Sequence, residues 1–243
     1  MFNRQLAKSR AKGILHRNMI FLGALAAIPI IFNFLGNRIG PEITFNIPAA
    51  TETLTQAQVD SMMDALTASA LISIPYTILL SLVVAFLSYF TMVAAGYLTK
   101  NPESDSVPIS NIVSLGGFIK YVLKVFVKNL LIGLGLILFV IPGIYLSYRF
   151  YLVEQIAVDR PDFGIGETLS EAGLLSKGSK FDFFVLDLSF ILWNILSVFT
   201  FGISDLYVQP YILLTHFDVY EQLKERLYPD EELHNEFVNS VEF

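Results

Sequence analysis

The chain has 243 residues, 54% of them hydrophobic and 16% charged, whereas soluble domains carry nearer ~25% charged residues, so a soluble globular class is excluded. It holds no cysteine, which excludes a disulfide framework, a thiolate metal site and a cysteine nucleophile. The formal charge of −6 averages over segments of unlike charge, and no stretch is polar and long enough for a soluble domain, so residues 1–243 read as a single integral-membrane domain.

Residues 1–17 carry Arg4, Lys8, Arg10, Lys12 and Arg17 and no acid. Such a segment stays cytoplasmic under the positive-inside rule, and Leu6, Ile14 and Leu15 give it the pattern of an interfacial helix. This basic segment, residues 1–18, precedes a first span from Met19 to Leu35. Ala24-Leu25-Ala26 mimics a cleavage site, but the apolar run continues past it, which argues against a signal peptide. Residues 36–70 then set only Arg38 against Glu42, Glu52, Asp60 and Asp64, which predicts an extracellular loop. Within it, Thr55-Gln-Ala-Gln58 reads as a capping box, followed by Val59, Met62, Met63 and Leu66 at the spacing of a helix lying on the outer leaflet.

A second span runs from Leu71 to Leu98, with Pro75 in its first turns, where proline costs least. TKNPESDSVPIS returns the chain to the cytoplasm as a polar loop broken by Pro102 and Pro108, and Gly116-Gly117 separates the loop from the next helix. Lys120, Lys124 and Lys128 follow at i, i+4 and i+8 on one helix face. They are placed to snorkel toward anionic inner headgroups, Lys128 least easily because it lies deepest.

The topology turns on Pro142-Gly143. Read straight through, Tyr121 to Val158 is one helix about 57 Å long, nearly twice a bilayer core. Read as a turn, it makes two spans, Tyr121–Ile141 and Gly143–Val158, and proline and glycine suit a turn. Basic residues favour the turn: with it, 15 of the 16 Lys and Arg lie on or toward the cytoplasmic side, and without it seven fall outside. Residues 159–180 become a cytoplasmic loop with an interfacial helix at Ile165, Leu169, Ala172 and Leu175, closed by Gly178. Spans five and six are Phe181–Ile203 and Leu206–Leu223, and residues 224–243 form an acidic cytoplasmic tail. The expected fold is an all-α bundle of six transmembrane helices with a Pro-Gly hairpin at 142–143 and both termini inside.

Ionisable groups within spans carry the functional lead, because each is costly in hydrocarbon. Lys128, Arg149, Glu154, Asp187, His216 and Asp218 qualify. Arg149 and Asp187 fall at similar depths from the inner face, and Asn194 shares a helix face with Asp187. They predict a polar interior of Arg149, Asp187 and Asn194, with Lys128 as the alternative partner of Asp187. Such a set either locks the bundle or forms a proton or anion path. His216 and Asp218, at i and i+2, do not share a helix face. No catalytic triad motif, P-loop or metal-binding histidine pair is present, so no catalytic residue, metal or cofactor is expected, and no basic folded surface suggests nucleic acid.

The order Pro142-Gly-Ile-Tyr145, Tyr148-Arg-Phe150, Leu169-Ser170, Ser176-Lys-Gly178, Leu186-Asp-Leu-Ser-Phe-Ile191 with Trp193, and Pro210-Tyr211 resembles an uncharacterised bacterial integral-membrane family, domain-of-unknown-function family 975. Leu6-Ala-Lys8 and Ala11-Lys12 ahead of the first span are similar too. Where that family typically shows glycine before the tryptophan, this chain has Leu192. The layout is more distantly similar to the membrane domain attached to some glycerophosphodiester phosphodiesterases, whose catalytic barrel has no counterpart here. The resemblance implies a multi-pass protein of the bacterial plasma membrane and no site residues. The function expected is a non-enzymatic accessory or scaffold role in the cell envelope. Its partners are then the bilayer, with anionic headgroups near the basic N-terminus, Lys120 and Lys124, and another membrane protein. A small transporter using the polar interior is the alternative, and a lipid-headgroup enzyme the second alternative.

Overall fold

The computed structural model describes residues 2–39, 55–108 and 113–229. Every regular element among them is an α-helix: α1 (Arg4–Arg17), α2 (Met19–Ile39), α3 (Gln56–Lys100), α4 (Leu115–Leu138), α5 (Val140–Arg149), α6 (Val153–Asp159), α7 (Ile165–Leu175), α8 (Lys180–Leu188), α9 (Ile191–Phe199) and α10 (Asp205–Leu227). The chain divides into two compact units, Met1–Ala27 with Ser88–Phe243, and Ile28–Leu87. Most of the expected loop 36–70 ahead of α3, and the tail beyond Pro229, lie outside the described residues.

Three helical runs among the described residues are long and apolar enough to cross a membrane: α3, α4, and Lys180–Phe199, which joins α8 to α9. The count is four if α1 and Met19–Ile31, bent by 93°, are taken as one span. Six crossings are not shown. The expected sixth span, Leu206–Leu223, belongs to α10, whose tyrosines, Gln209, His216, Asp218 and Glu221 dilute its apolar content.

The expected surface helix and second span form one 45-residue helix, α3, about 67 Å long. Only half of the expected capping box forms: the Thr55 N–H donates to Gln58 Oε1 at 2.9 Å, but the Thr55 hydroxyl donates to the same oxygen at 2.8 Å and the Gln58 N–H goes to the Thr55 carbonyl. No break follows at residue 70; within the helix the Thr67 and Ser69 hydroxyls donate to the carbonyls of Asp64 and Leu66, each at 2.9 Å. Pro75 therefore sits well inside the helix and not in its first turns. In the unit Ile28–Leu87, α3 presents exposed Leu71, Ile74, Ile78, Leu79 and Leu82.

The turn between α4 and α5 sits at Phe139, not at Pro142-Gly143. Phe139 is extended, with φ −158° and ψ 140°. Its N–H closes α4 on the Gly135 carbonyl at 3.0 Å, and its own carbonyl accepts from Gly143 at 3.2 Å. Pro142 is the third residue of α5, where a missing N–H is harmless. Gly143 serves close packing: a Cβ there would lie 2.7 Å from the Leu136 backbone nitrogen, and one on Gly135 would lie 3.1 Å from the Gly143 Cα. The two helices thus fold back on one another through a glycine contact.

Two apolar clusters build the larger unit. One joins Phe2, Leu152, Ile156, Phe183, Leu186 and Tyr220; the other joins Ala11, Leu15, Tyr89, Val93, Leu98 and Leu214. Helix α1 enters both because Ala7, Ala11, Ile14 and Leu15 fall on one face, all of them buried. Its first turn is capped by Asn3, whose side chain accepts from the Leu6 N–H at 3.0 Å. Helix α7 lies where the sequence puts a short helix, and Gly178 follows it with φ +79°.

Candidate functional site

The chain from Leu146 to Val153 changes direction between α5 and α6, and this break places Tyr151 among α8 and α10. Its ring stacks on Phe183 with centroids 4.5 Å apart. Its hydroxyl donates to Asp187 Oδ1 at 2.5 Å and meets His216 Nε2 at 2.8 Å. A phenol has one proton, so if that proton goes to the carboxylate, the oxygen accepts from His216 and Nε2 carries the hydrogen. The result is a directed chain from His216 through Tyr151 to Asp187. The Tyr148 ring stacks beside Tyr151 with centroids 6.1 Å apart. Phe190 closes one side, its ring edge-on to Tyr211 at 5.5 Å and to His216 at 6.5 Å. The Lys8 amine sits 4.3 Å over the Phe190 ring and donates to Ser189 Oγ at 2.5 Å. The Asp187 side chain remains 39% and that of His216 20% exposed, so neither end of the chain is fully enclosed.

A second polar centre lies at Asp159, the residue just past the apolar arm that ends at Val158. Its carboxylate is 4% exposed and pairs with Lys100 and with Lys224, the latter at 3.0 Å. Tyr220 donates to the same oxygen as Lys224, at 2.6 Å. Burial alone would raise the Asp159 pKa, but the two ammonium groups and the phenol outweigh it and hold it down at about 2. Beside it is a cavity of about 230 Å³ lined by Tyr89, Tyr97, Lys100, Ser114 and Phe217.

The expected trio of Arg149, Asp187 and Asn194 is not brought together. Arg149 leaves the α5 face on the side of α7, where a Cβ on Gly173 would come within 3.3 Å of its Nε. Its carbonyl accepts from Ser176 Oγ at 3.0 Å. Asn194 is exposed on α9, where no residue is buried. Lys128 pairs with Glu154 rather than with Asp187. Of the three lysines expected to snorkel, only Lys120 is exposed; Lys124 is 2% exposed and donates to the Arg160 carbonyl at 3.1 Å. Equal depth leaves the helix azimuth free, so Arg149 and Asp187 turn to different neighbours. The partner of His216 is a tyrosine 65 residues away, neutral and common among the aromatic runs of this chain, so nothing in the sequence marks it out. Asp218, on the other face of α10 as its spacing requires, pairs with Arg10 at 3.5 Å. Among the described residues, no three His, Cys, Asp or Glu side chains converge to hold a metal ion.

No curated protein and no solved structure matches the chain, so the more distant likeness to glycerophosphodiester phosphodiesterase membrane domains gains no support. The family described as Protein of unknown function (DUF975) matches residues 7–227. That match covers most of the chain and includes every residue of both polar centres, and the chain belongs to the DUF975 family.

Proposed function

We propose that the chain is a non-enzymatic accessory or scaffold protein of the bacterial plasma membrane, with both termini on the basic, cytoplasmic side. The observation that carries this reading is how its inner charges are used. Lys100, Asp159 and Lys224 close on each other, Lys128 closes on Glu154, and Asp187 closes on Tyr151 and His216. Each closure ties together segments far apart in sequence, which is the work of a rigid frame. Helices α2 and α3, helix α4, and the returning arm 140–158 are the crossings this reading uses. Six crossings would add Lys180–Phe199 and α10.

One observation favours a transporter as the second reading: the His216–Tyr151–Asp187 chain is a proton relay in form, and its ends are partly exposed. Proton flux in proteoliposomes decides between the two. The scaffold reading expects the same leak from wild type and Tyr151→Phe vesicles, together with a membrane protein recovered by cross-linking in cells. A leak that Tyr151→Phe abolishes sinks the scaffold reading.

A further inference from the structure

Lys180–Phe199 passes every test of length and apolarity for a membrane span. Its surroundings argue otherwise. Lys100, Asp159 and Lys224 meet at one point, so the ends of α3, α6 and α10 share one face of the membrane. The stretch from Arg160 to Leu223 therefore starts and finishes on that face. Lys180–Phe199 and α10 either both cross or neither does.

Helix α1 decides between these. It runs antiparallel beside α10: the Asn3 N–H donates to Gln222 Oε1 at 2.7 Å, Arg10 meets Asp218 at 3.5 Å, and His16 Nε2 lies 3.3 Å from Tyr207 Oη. The three contacts descend α10 as α1 ascends. Lys180–Phe199 follows the same track. Phe183 stacks on Phe2 at 5.4 Å, Ser189 takes Lys8, and the Trp193 ring lies 6.2 Å from Tyr207. The three helices are thus aligned. If α10 crossed, α1 would lie in the hydrocarbon with Arg4, Lys8, Arg10, Lys12 and Arg17 and no acid of its own, Arg10 with its side chain 53% exposed. Met19–Ile31, bent by 93° from α1, would then lie flat despite its apolar sequence. Laying α1 in the headgroup layer removes both conflicts, because a helix bent by 93° from it is then free to stand along the bilayer normal.

We infer that α1, the run Lys180–Phe199 and α10 form a platform lying in the headgroup layer of the cytoplasmic leaflet, and that Lys180–Phe199 does not cross. This rests on the membrane reading proposed above. The partner of the platform is the lipid surface itself. The α1 cations meet anionic headgroups, while α9 and the turn after it reach the acyl chains through Leu192, Val198, Phe199 and Phe201. That turn supports the assignment. Gly202 N–H bonds the Ser197 carbonyl at 2.8 Å and Phe201 N–H the Val198 carbonyl at 3.3 Å, a helix-ending motif whose left-handed position normally takes glycine. Here that position, with φ +51°, holds Phe201, which is 94% exposed. A strained backbone displaying an apolar ring outward suits a lipid anchor.

Trp193 is the one tryptophan, so its depth can be read in the unaltered protein. Purified protein would be reconstituted into phosphatidylcholine–phosphatidylglycerol vesicles brominated either shallow or deep along the acyl chain. The platform places Trp193 at the interface, so shallow bromines quench it more, by about twofold. Quenching by deep bromines that equals or exceeds the shallow value places Trp193 near the middle of a span and overturns the platform alone. Quenching by neither shows that Trp193 does not reach the acyl chains and also overturns the platform; only a protein that in addition fails to float with the vesicles overturns the membrane reading as well.

Discussion

Helix α4 and the run Lys180–Phe199 are both long and apolar enough to cross a bilayer, and they differ in what lies beside them. Helix α4 exposes Leu115, Ile119, Leu123, Phe126, Leu130, Leu134 and Leu138 along its whole length, turns Lys124 and Lys128 inward, and packs on an apolar returning arm. Lys180–Phe199 exposes as much apolar surface but shares its track with a helix of five cations. Length and hydropathy therefore permit a crossing, and the neighbours decide it. A span whose deep charges face inward, with its one exposed lysine, Lys120, close to the cytoplasmic end, can stand in lipid; one aligned along its length with exposed arginine and lysine cannot.

The largest effect that would break the comparison is expected at Asp159, which fixes the platform to the crossing helices. Asp159→Leu leaves Lys100 and Lys224 facing each other without their anion, and a loss of ~3–5 kcal/mol is expected from thermal unfolding in detergent. The same group sets an acid limit. Its folded pKa is depressed to about 2 from 3.8, so its stabilisation is complete above the unfolded value and is lost as pH falls from about 4 through about 2. The loss over that window is about 2 kcal/mol. Asp159→Asn should lose this part of the acid profile, and an unchanged profile would show that the carboxylate contributes nothing.

On the hairpin side, Gly143→Ala drives a methyl group into the Leu136 backbone, and a loss of ~1–3 kcal/mol is expected. Gly133→Ala on the same helix meets nothing within 4 Å and should be neutral or stabilising by up to ~1 kcal/mol. Equal effects of the two would remove the glycine contact from the account. Tyr151→Phe, which unlinks His216 from Asp187, should cost ~1–2 kcal/mol by the same assay. The smallest change is expected at the exposed Asn194, where Asn194→Ala should stay within ~0.5 kcal/mol. The paired exchange Arg149→Asp with Asp187→Arg should give no rescue over either single change.

How much of this was readable in the chain differs between the same two regions. The apolar runs, the basic N-terminus, the short helix after Pro161 and the reversal between α4 and α5 all follow from local patterns and appear in the structure. The turn itself moved from Pro142 to Phe139 because a proline in a first helical turn signals a start as well as it signals a break. The motif-bearing stretch from 142 to 211 pointed to the family that matches the chain. What could not be read was lateral placement. Lys100 and Lys224 meet Asp159 from 59 and 65 residues away, and nothing local marks such a junction. Arg149 and Asp187 matched in depth and still missed, since side-chain direction around a helix axis depends on which neighbour packs there. The alignment of α1 with α10 is a packing fact of the same kind, and it alone questions a span that hydropathy accepts.

The most direct test of whether neighbours or hydropathy set the topology is the accessibility of the turn after α9. Ser61→Cys, Ser170→Cys and Ser204→Cys would be made singly in the cysteine-free chain and probed with an impermeant maleimide in intact cells and after permeabilisation. The account predicts that Ser61→Cys is labelled in intact cells, and that Ser170→Cys and Ser204→Cys are labelled only once the membrane is opened. Labelling of Ser204→Cys in intact cells alongside Ser61→Cys would show that Lys180–Phe199 crosses, and would contradict it.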